Sequence, residues 1–533
     1  MARFNIANYL VHRHDVLGGG AEVAVRSGTQ TLTYSELSTL VREVAAGLRL
    51  LGARPDDRVL LVASDGVPAM ATILGAFHAG MVAVPISTML TSRELGGIIR
   101  DSGARTVLCT PEHADTVAES LTIAGAIDQV VHVGSPGALG EGSAALVDWD
   151  QLLASGREAI AADDIALNAH DTDEDNWALW LYTSGTTGQP KAAMHRHANI
   201  RHVCESYGSR VLGITSEDVT LSVAKLFFAY GIGNSVFFPL SAGATSVLEA
   251  KRPTPDVALD RLRADRPTLF FGVPTFYASL LGSDLPDDAF ASVRWCISAG
   301  EPLPAPLQRR FTERFGVEIL DGIGSTEALH IFLSNRPGDI RPGTTGRPVP
   351  GYDVEVRDED GHVTPPGRPG ALFVRGDSIG LGYWRRVEAS REVFRGAWLS
   401  TGDTYVTDDD GYFRCLGRST DMLKAGGIWV SPTEVESRLL EHASVQQAAV
   451  VGATDDDGLD KPVAVVVADG VTEDELITWC RDGLAHFKAP RHVVFTKDLP
   501  RTPTGKLQRF RVRELLVPAH PDAPKGITSG GAP

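Results

Sequence analysis

The sequence predicts an α/β protein: a large N-terminal domain of layered α/β sheets plus a β unit, then a small α+β C-terminal domain. Three observations carry this expectation. Through the first 300 residues, short apolar runs alternate with stretches of helical period, the βαβα rhythm of a mostly parallel sheet covered by helices. From about residue 344, short strands separated by turn residues take over, as in GYDVEVRDEDGHVTPPGRPGALFVRG, which reads as an antiparallel unit. The chain's 533 residues also exceed what a single hydrophobic core serves.

In order, LTYSELSTLVREVAAGLRLLG (32–52) is a helix with a Thr/Ser start and a Gly stop, and DRVLLVAS (57–64) is a buried strand. The longest apolar stretch, MATILGAFHAGMVAVPI (70–86), is broken by His78, Gly80 and Pro85, so it reads as a core helix running into a strand rather than a membrane span. ARTVLCT, QVVHVG, WALWLYT, ATSVLEA, PTLFFGVP and VRWCISAG continue the strands. After LGRSTDMLK (416–424) the pattern switches to helix, two strands and helix: SPTEVESRLLEH, QQAAVVG, KPVAVVVAD and DELITWCRDGLAHF. This places the domain boundary between residues 419 and 420, with 1–419 and 420–533 as the two domains. The Pro/Gly/Ser-rich tail from about 518 has the composition of a disordered segment.

Composition narrows the class. Hydrophobic residues at 43% and charged residues at 22% are those of a soluble globular protein. A formal charge of -17 argues against a nucleic-acid or anionic-membrane surface, which would reward positive charge. Cys109, Cys204, Cys296, Cys415 and Cys480 are scattered without CxxC spacing, which excludes a disulfide scaffold and a zinc module at this level. With no signal-peptide pattern in MARFNIANYLVHRHD, a reduced, cytoplasmic setting is expected.

The chemistry concentrates in YTSGTTGQPK (182–191). Gly185 and Gly188 let backbone N–H groups converge on an anion, and Thr183, Ser184, Thr186 and Thr187 add hydroxyl donors. Lys191 supplies a point charge suited to phosphate. The run does not match GxxxxGK[ST]: Pro190 precedes the lysine, Ala192 follows it, and a helix does not pass easily through Gln189-Pro190. It is a phosphate loop of another build.

YTSGTTGQPK resembles the phosphate loop of the adenylate-forming enzymes, a superfamily of acyl-CoA synthetases, peptide-synthetase adenylation domains and luciferases. The resemblance spans roughly residues 20 to 515, through several motifs in the family's order. It implies ATP and Mg²⁺, with Thr183 to Gly188 and Lys191 on the phosphates. In GIGSTEALH (322–330) it implies Thr326 on a nucleotide phosphate and Glu327 on Mg²⁺, for which a carboxylate is a fitting hard ligand. Glu301 and Pro302 in SAGEPLP, and Asp321, resemble adenine-pocket residues. In STGDTYVTDDDGYFRCLGR (400–418) the resemblance puts Asp403 on both ribose hydroxyls with Arg418 assisting, and leaves Asp408 to Asp410 as a solvated hairpin.

In PRTPTGKLQRF (500–510), Lys506 is the family's mobile lysine, which contacts the acyl carboxylate and the α-phosphate region. Only nine lysines stand against 41 arginines, and Lys191, Lys424 and Lys506 all fall in such motifs. KAGGIWVSPTEVE resembles the lining of a pantetheine tunnel, where Gly427 leaves room for the arm of CoA. The small domain is expected to be mobile, turning at Thr420. The family commonly has Asp there, but a hinge needs tolerant backbone more than one side chain.

AKLFFAYGIGNSVFFPLSAGAT (224–245), with GSTEALHIFLSN and TTGRPVPGY, is very similar to the benzoate–CoA ligase branch. That similarity implies a flat-ring slot formed by Ala229, Tyr230, Gly300, Gly324, His330 and Ile331, with Phe228 at its gate. The competing reading of Phe227, Phe228 and Tyr230 is plain core. The implied function is an ATP-dependent aryl-CoA ligase. It would convert benzoate or a substituted benzoate to aroyl-AMP with release of pyrophosphate, then to aroyl-CoA and AMP. Transfer to a pantetheinyl acyl carrier protein is the alternative. A non-catalytic aryl-ligand binder is the remote one, opposed by the presence of Glu327 and Lys506.

Overall fold

The computed structural model describes residues 3–125, 127–141, 144–162, 168–184, 190–419, 421–425, 428–454, 460–484, 486, 488–501 and 507–516. Apolar β-branched runs build two large sheets. In the first, Ala145–Asp148, Gln129–His132, Thr106–Cys109, Arg58–Val62, Val82–Pro85 and Trp177–Ser184 lie side by side and parallel, and Pro190–Arg196 closes the edge antiparallel. All four residues of Val82–Pro85 are buried, as expected for strands covered on both faces.

The helix Tyr34–Leu50 begins at Thr33, whose side chain caps Glu36 N while the Glu36 carboxylate caps Thr33 N. It packs on Val67–His78 where Gly75 removes a side chain: a Cβ there would lie 2.6 Å from Val44 Cγ1. Val67–His78 is buried at every position but Pro68, which makes the longest apolar stretch a core helix. No described helix is long and apolar enough to cross a membrane.

The second sheet has nine strands. Ile319–Gly324, Trp295–Ser298, Leu269–Gly272, Val219–Ser222, Thr245–Leu248 and Val23–Ser27 form its parallel centre. Because these strands run one way, the segments leaving Val219–Ser222, Trp295–Ser298 and Ile319–Gly324 emerge along one edge. They carry Phe228 to Tyr230, Gly300 to Pro302, and Thr326 to His330. The carboxyl edge of parallel strands is where α/β sheets bind ligands.

The predicted β unit is antiparallel, built from Asp353–Arg357, Gly370–Arg375, Phe394–Arg395, Trp398–Thr407 and Phe413–Arg418. The last block has a hydrophobic core of its own, including Leu423, Val430, Val435, Leu439, Val450, Val466 and Leu476. There Val445–Thr454 pairs antiparallel with Asp460–Ala468, which pairs in parallel with His492–Phe495. The second helix of this block, Glu473–Gly483, stops short of the predicted 474–487. Thr420, Gly427, Lys506 and the tail from 517 lie outside the described residues.

Candidate functional site

The phosphate-loop sequence connects two antiparallel strands, with Thr183 in register with Lys191. That is strand–loop–strand, and the proline before Lys191 sits at the start of a strand where a helix is not required. Gly185, Thr186, Thr187 and Gly188 lie outside the described residues, and Ser184 ends the first strand. Lys191 is half-buried, its Nζ 5.5 Å from the centroid of the Tyr383 ring.

Thr326 and Glu327 fall in a turn rather than at a helix start. Ser325 Oγ accepts from Ala328 N (3.1 Å), and Leu329 is buried with a φ of 67°, a costly conformation for a residue with a branched side chain. Three groups hold this turn. His195 Nε2 donates to the Thr326 carbonyl (2.8 Å), Gly380 N to the Glu327 carbonyl (2.8 Å), and the Tyr383 hydroxyl to Glu327 Oε1 (2.6 Å). Burial pushes His195 down to about 4, so it is a neutral imidazole whose proton sits on Nε2. Glu327 Oε2 has no partner among the described residues, so one hard oxygen is left over, of the kind that suits a Mg²⁺ ion.

Asp403 lies within the strand Trp398–Thr407 opposite Arg418 and is nearly buried. Arg418 Nε is 3.1 Å from Asp403 Oδ1, and Arg418 Nη1 donates to the Thr401 carbonyl (2.8 Å). Asp321 is buried on Ile319–Gly324, with Oδ1 unpartnered among the described residues. Burial raises its carboxyl well above the usual range, outweighing the Ser298 hydroxyl and the Gly322 N–H. Burial, and then the charge of Asp403, pushes the Cys415 thiol up to about 12. Glu301 is half-buried, 3.4 Å from Arg501 Nη1, while Pro302 is exposed. Asp408 and Asp410 are not merely solvated: they take Arg341 Nη1 (2.6 Å) and Nη2 (2.9 Å), and that guanidinium lies 3.8 Å over Tyr412.

The residues expected to line an acid slot are rings and glycines. Tyr230, on Ala229–Ile232, sends its hydroxyl to the Ile297 carbonyl (3.1 Å). His330 lies between Tyr230 and Tyr207, with centroids 5.5 and 5.6 Å away, and Phe238 meets it edge-on at 4.5 Å. Its Nε2 is 3.2 Å from Asn234 Oδ1, its Nδ1 is unpartnered among the described residues, and burial pushes it down to about 3.

The glycines act as spacers. A Cβ on Gly233 would lie 2.3 Å from His330 Cδ2, one on Gly324 would lie 2.5 Å from the His330 carbonyl, and Gly300 has a φ of +91°. Ile331 pairs with Gly324 across the strands and is buried. Phe227 is core, whereas Phe228, edge-on to it at 4.5 Å, is only half-buried. Asn234, Tyr207, His195 and Tyr383 escape a reading of the sequence. Each is a lone polar or aromatic residue whose partner is far along the chain.

The AMP-binding enzyme family model matches residues 14–384, and the AMP-binding enzyme C-terminal domain matches residues 434–506. The chain belongs to the AMP-binding enzyme family. This AMP-binding enzyme is 44% identical to a benzoate–CoA ligase of Thauera aromatica over 520 residues, 96% of each chain. It resembles the crystal structure of a benzoate CoA ligase from Burkholderia xenovorans LB400 with a TM-score of 0.86 and 44% identity. That match covers 96% of this chain and 100% of the other. An anthranilate CoA ligase in complex with anthranoyl-AMP matches with a TM-score of 0.87 and 35% identity, over 96% of this chain and 97% of the other. In this AMP-binding enzyme the turn 325–330 carries the Glu327 carboxylate near its middle and ends at His330 with its surrounding rings.

Proposed function

We propose that this AMP-binding enzyme is an ATP-dependent aryl-CoA ligase acting on benzoate or a close relative. The observation that carries the reading is the set of rings around His330, namely Tyr207, Tyr230 and Phe238, with Gly233 and Gly324 against it, which would form the slot three residues after Glu327 in the same turn. The relatives' acids, benzoate and anthranilate, are flat rings of the size such a slot takes.

In the first half-reaction a carboxylate oxygen attacks the α-phosphorus. The new O–P bond gives aroyl-AMP as the bond to pyrophosphate breaks. In the second, the CoA sulfur attacks the acyl carbon, its proton is lost, and AMP leaves with the bonding pair. Lys191, with Thr183, Ser184, Gly185, Thr186, Thr187 and Gly188, would hold the polyphosphate, and Thr326 would contact it. Mg²⁺, when bound, supplies positive charge to the phosphates, and Glu327 is the residue that would hold it. Asp403, kept in place by Arg418, would accept from the ribose hydroxyls, and Asp321 Oδ1 would accept from the adenine amino group, beside Glu301 and Pro302. Lys506 would stabilise the charge shared between carboxylate and α-phosphate. Gly427 would leave space for pantetheine, and Thr420 would be the hinge between a domain of residues 1–419 and one of 420–533.

The test is a panel of carboxylic acids with ATP and Mg²⁺, scored by pyrophosphate release with and without CoA. Turnover with benzoates that rises on addition of CoA is the expected result. Release indifferent to CoA would favour a carrier protein as acceptor. Activity on fatty acids alone would overturn the ring slot.

A further inference from the structure

Tyr383 belongs to none of the motifs that identify the site, yet it touches two of them. The segment 378–386 runs between the phosphate-loop hairpin and the Glu327 turn. Towards the hairpin, Leu381 N donates to the Met194 carbonyl (2.8 Å), Met194 N to Gly382 (3.0 Å) and Trp384 N to Ala192 (2.9 Å). Towards the turn, Gly380 N donates to the Glu327 carbonyl (2.8 Å) and Ser378 Oγ to the Ala328 carbonyl (2.7 Å). Its far end is fastened at Asp101. That carboxylate takes Arg386 Nη2 (2.9 Å) and the hydroxyl of Tyr182 (2.8 Å), the residue that opens the phosphate loop, and the Asp101 carbonyl takes Trp384 Nε1 (3.0 Å).

At the middle of this strap the Tyr383 hydroxyl donates to Glu327 Oε1 (2.6 Å), while Lys191 Nζ stands 5.5 Å from the ring centroid. The ring is itself fixed, buried and edge-on to Phe394 at 5.3 Å, with its backbone N–H on Ser390 Oγ (2.9 Å). A cation within about 6 Å of a ring face is attracted to it. A hydrogen bond from the protein fixes how a ligating carboxylate presents its other oxygen.

We propose that Tyr383 is a positioning residue for the metal–nucleotide complex, orienting Glu327 through Oε1 so that Oε2 is left for Mg²⁺, and holding Lys191 beside its ring. The inference rests on the adenylating reading of the site, and its test reads binding separately from turnover. Tyr383→Phe removes one oxygen and keeps the ring.

Equilibrium titration with ATP should show the dissociation constant of Mg·ATP rising roughly tenfold, the lower end for loss of such a partner. The dissociation constant of ATP in EDTA should change less than about twofold, because the ring beside Lys191 remains. In pyrophosphate release, the Mg²⁺ concentration for half-maximal rate should rise while KM for the acid stays put. In a Glu327→Gln background, Tyr383→Phe should add nothing to the Mg·ATP defect, since contacting residues are non-additive. Additive losses, unchanged Mg·ATP affinity, equal weakening with and without metal, or a collapsed fold by circular dichroism would each overturn the proposal. If wild-type protein binds Mg·ATP but activates no acid, the functional reading fails and the positioning role is still decided by the titration.

Discussion

The wall around His330 and the wall around Glu327 begin at opposite ends of one turn, residues 325–330, and are held by different forces. Around His330 the neighbours are rings and glycines, and the imidazole is fully enclosed. Around Glu327 the neighbours are directed donors, namely His195, Gly380 and Tyr383, and the carboxylate is half-exposed. A close-packed wall depends on volume, so one added methyl is felt at once. A hydrogen-bonded wall depends on orientation, so it loses function in steps as each donor is removed. The left-handed Leu329 joins the two, and it holds a strained conformation because both ends of the turn are fixed.

The sharpest way to break this contrast is Gly233→Ala. The new Cβ would sit 2.3 Å from His330 Cδ2 and 2.7 Å from Nε2, so the ring must shift against Tyr207, Tyr230 and Phe238. Loss on the order of 10²-fold in kcat/KM for benzoate is expected, the scale of a small misplacement in a site, with Mg·ATP affinity unchanged. Equal loss of Mg·ATP affinity would show that the walls are not independent. Asp403→Asn tests the polar side away from the turn. With Arg418 Nε 3.1 Å from Asp403 Oδ1, the weakened ribose acceptor should lower ATP affinity by roughly tenfold, the scale of a hydrogen bond to a charged group. KM for the acid should hold, and isothermal titration together with steady-state kinetics reads both.

A smaller effect comes from what the walls share. His330 and His195, one in each, are pushed by burial to about 3 and about 4. His12, His78 and His197 are likewise lowered, to about 3, about 2 and about 3. Below their ordinary value near 6.5 the unfolded chain takes up protons that these folded imidazoles refuse, so their contribution to stability is lost as pH falls from about 6.5 towards 4. Asp65, raised to about 6 by burial, and Asp321, also raised, act the other way below pH 6, because the folded state holds the proton. His14, His113 and His202 are lowered too, so with eight lowered histidines against two raised carboxyls the unfolding midpoint should drop between pH 7 and pH 5. A flat profile would contradict neutral, buried imidazoles in both walls. The smallest effect belongs to Asp410→Asn. Its ion pair with Arg341 is exposed and shared with Asp408, so neither stability nor turnover should change measurably in thermal unfolding and initial-rate assays.

Much of this site is legible along the chain because its chemistry is local. A glycine-rich loop unlike a helix start is legible at 182–191 from Gly185, Gly188 and the proline before Lys191, whereas the strand Pro190–Arg196 that follows is not. The strand before Gly300 follows from the short apolar run VRWCISAG, whereas Val219–Ser222 and Ile319–Gly324, before Phe228 and Thr326, carry no run long enough to stand out. Glu327 is picked out by the resemblance of GIGSTEALH rather than by its neighbours, since a lone Glu after a Gly/Ser turn would ordinarily start a helix. The capping box at Thr33 and Glu36 was likewise written within four residues.

By itself, then, the sequence determined the alternation of strands and helices, the order of the motifs and the kind of ligand they suit, since each rests on neighbours a few residues apart. Only the tertiary structure decided that Tyr383 bonds Glu327 56 residues away, that His330 rests on Asn234 96 residues away, and that His195 holds Thr326 across 131 residues. These contacts have no period and no spacing. They exist because two parallel sheets and one strap bring distant polar groups into a buried space, where a donor left without an acceptor would cost more than the bond is worth.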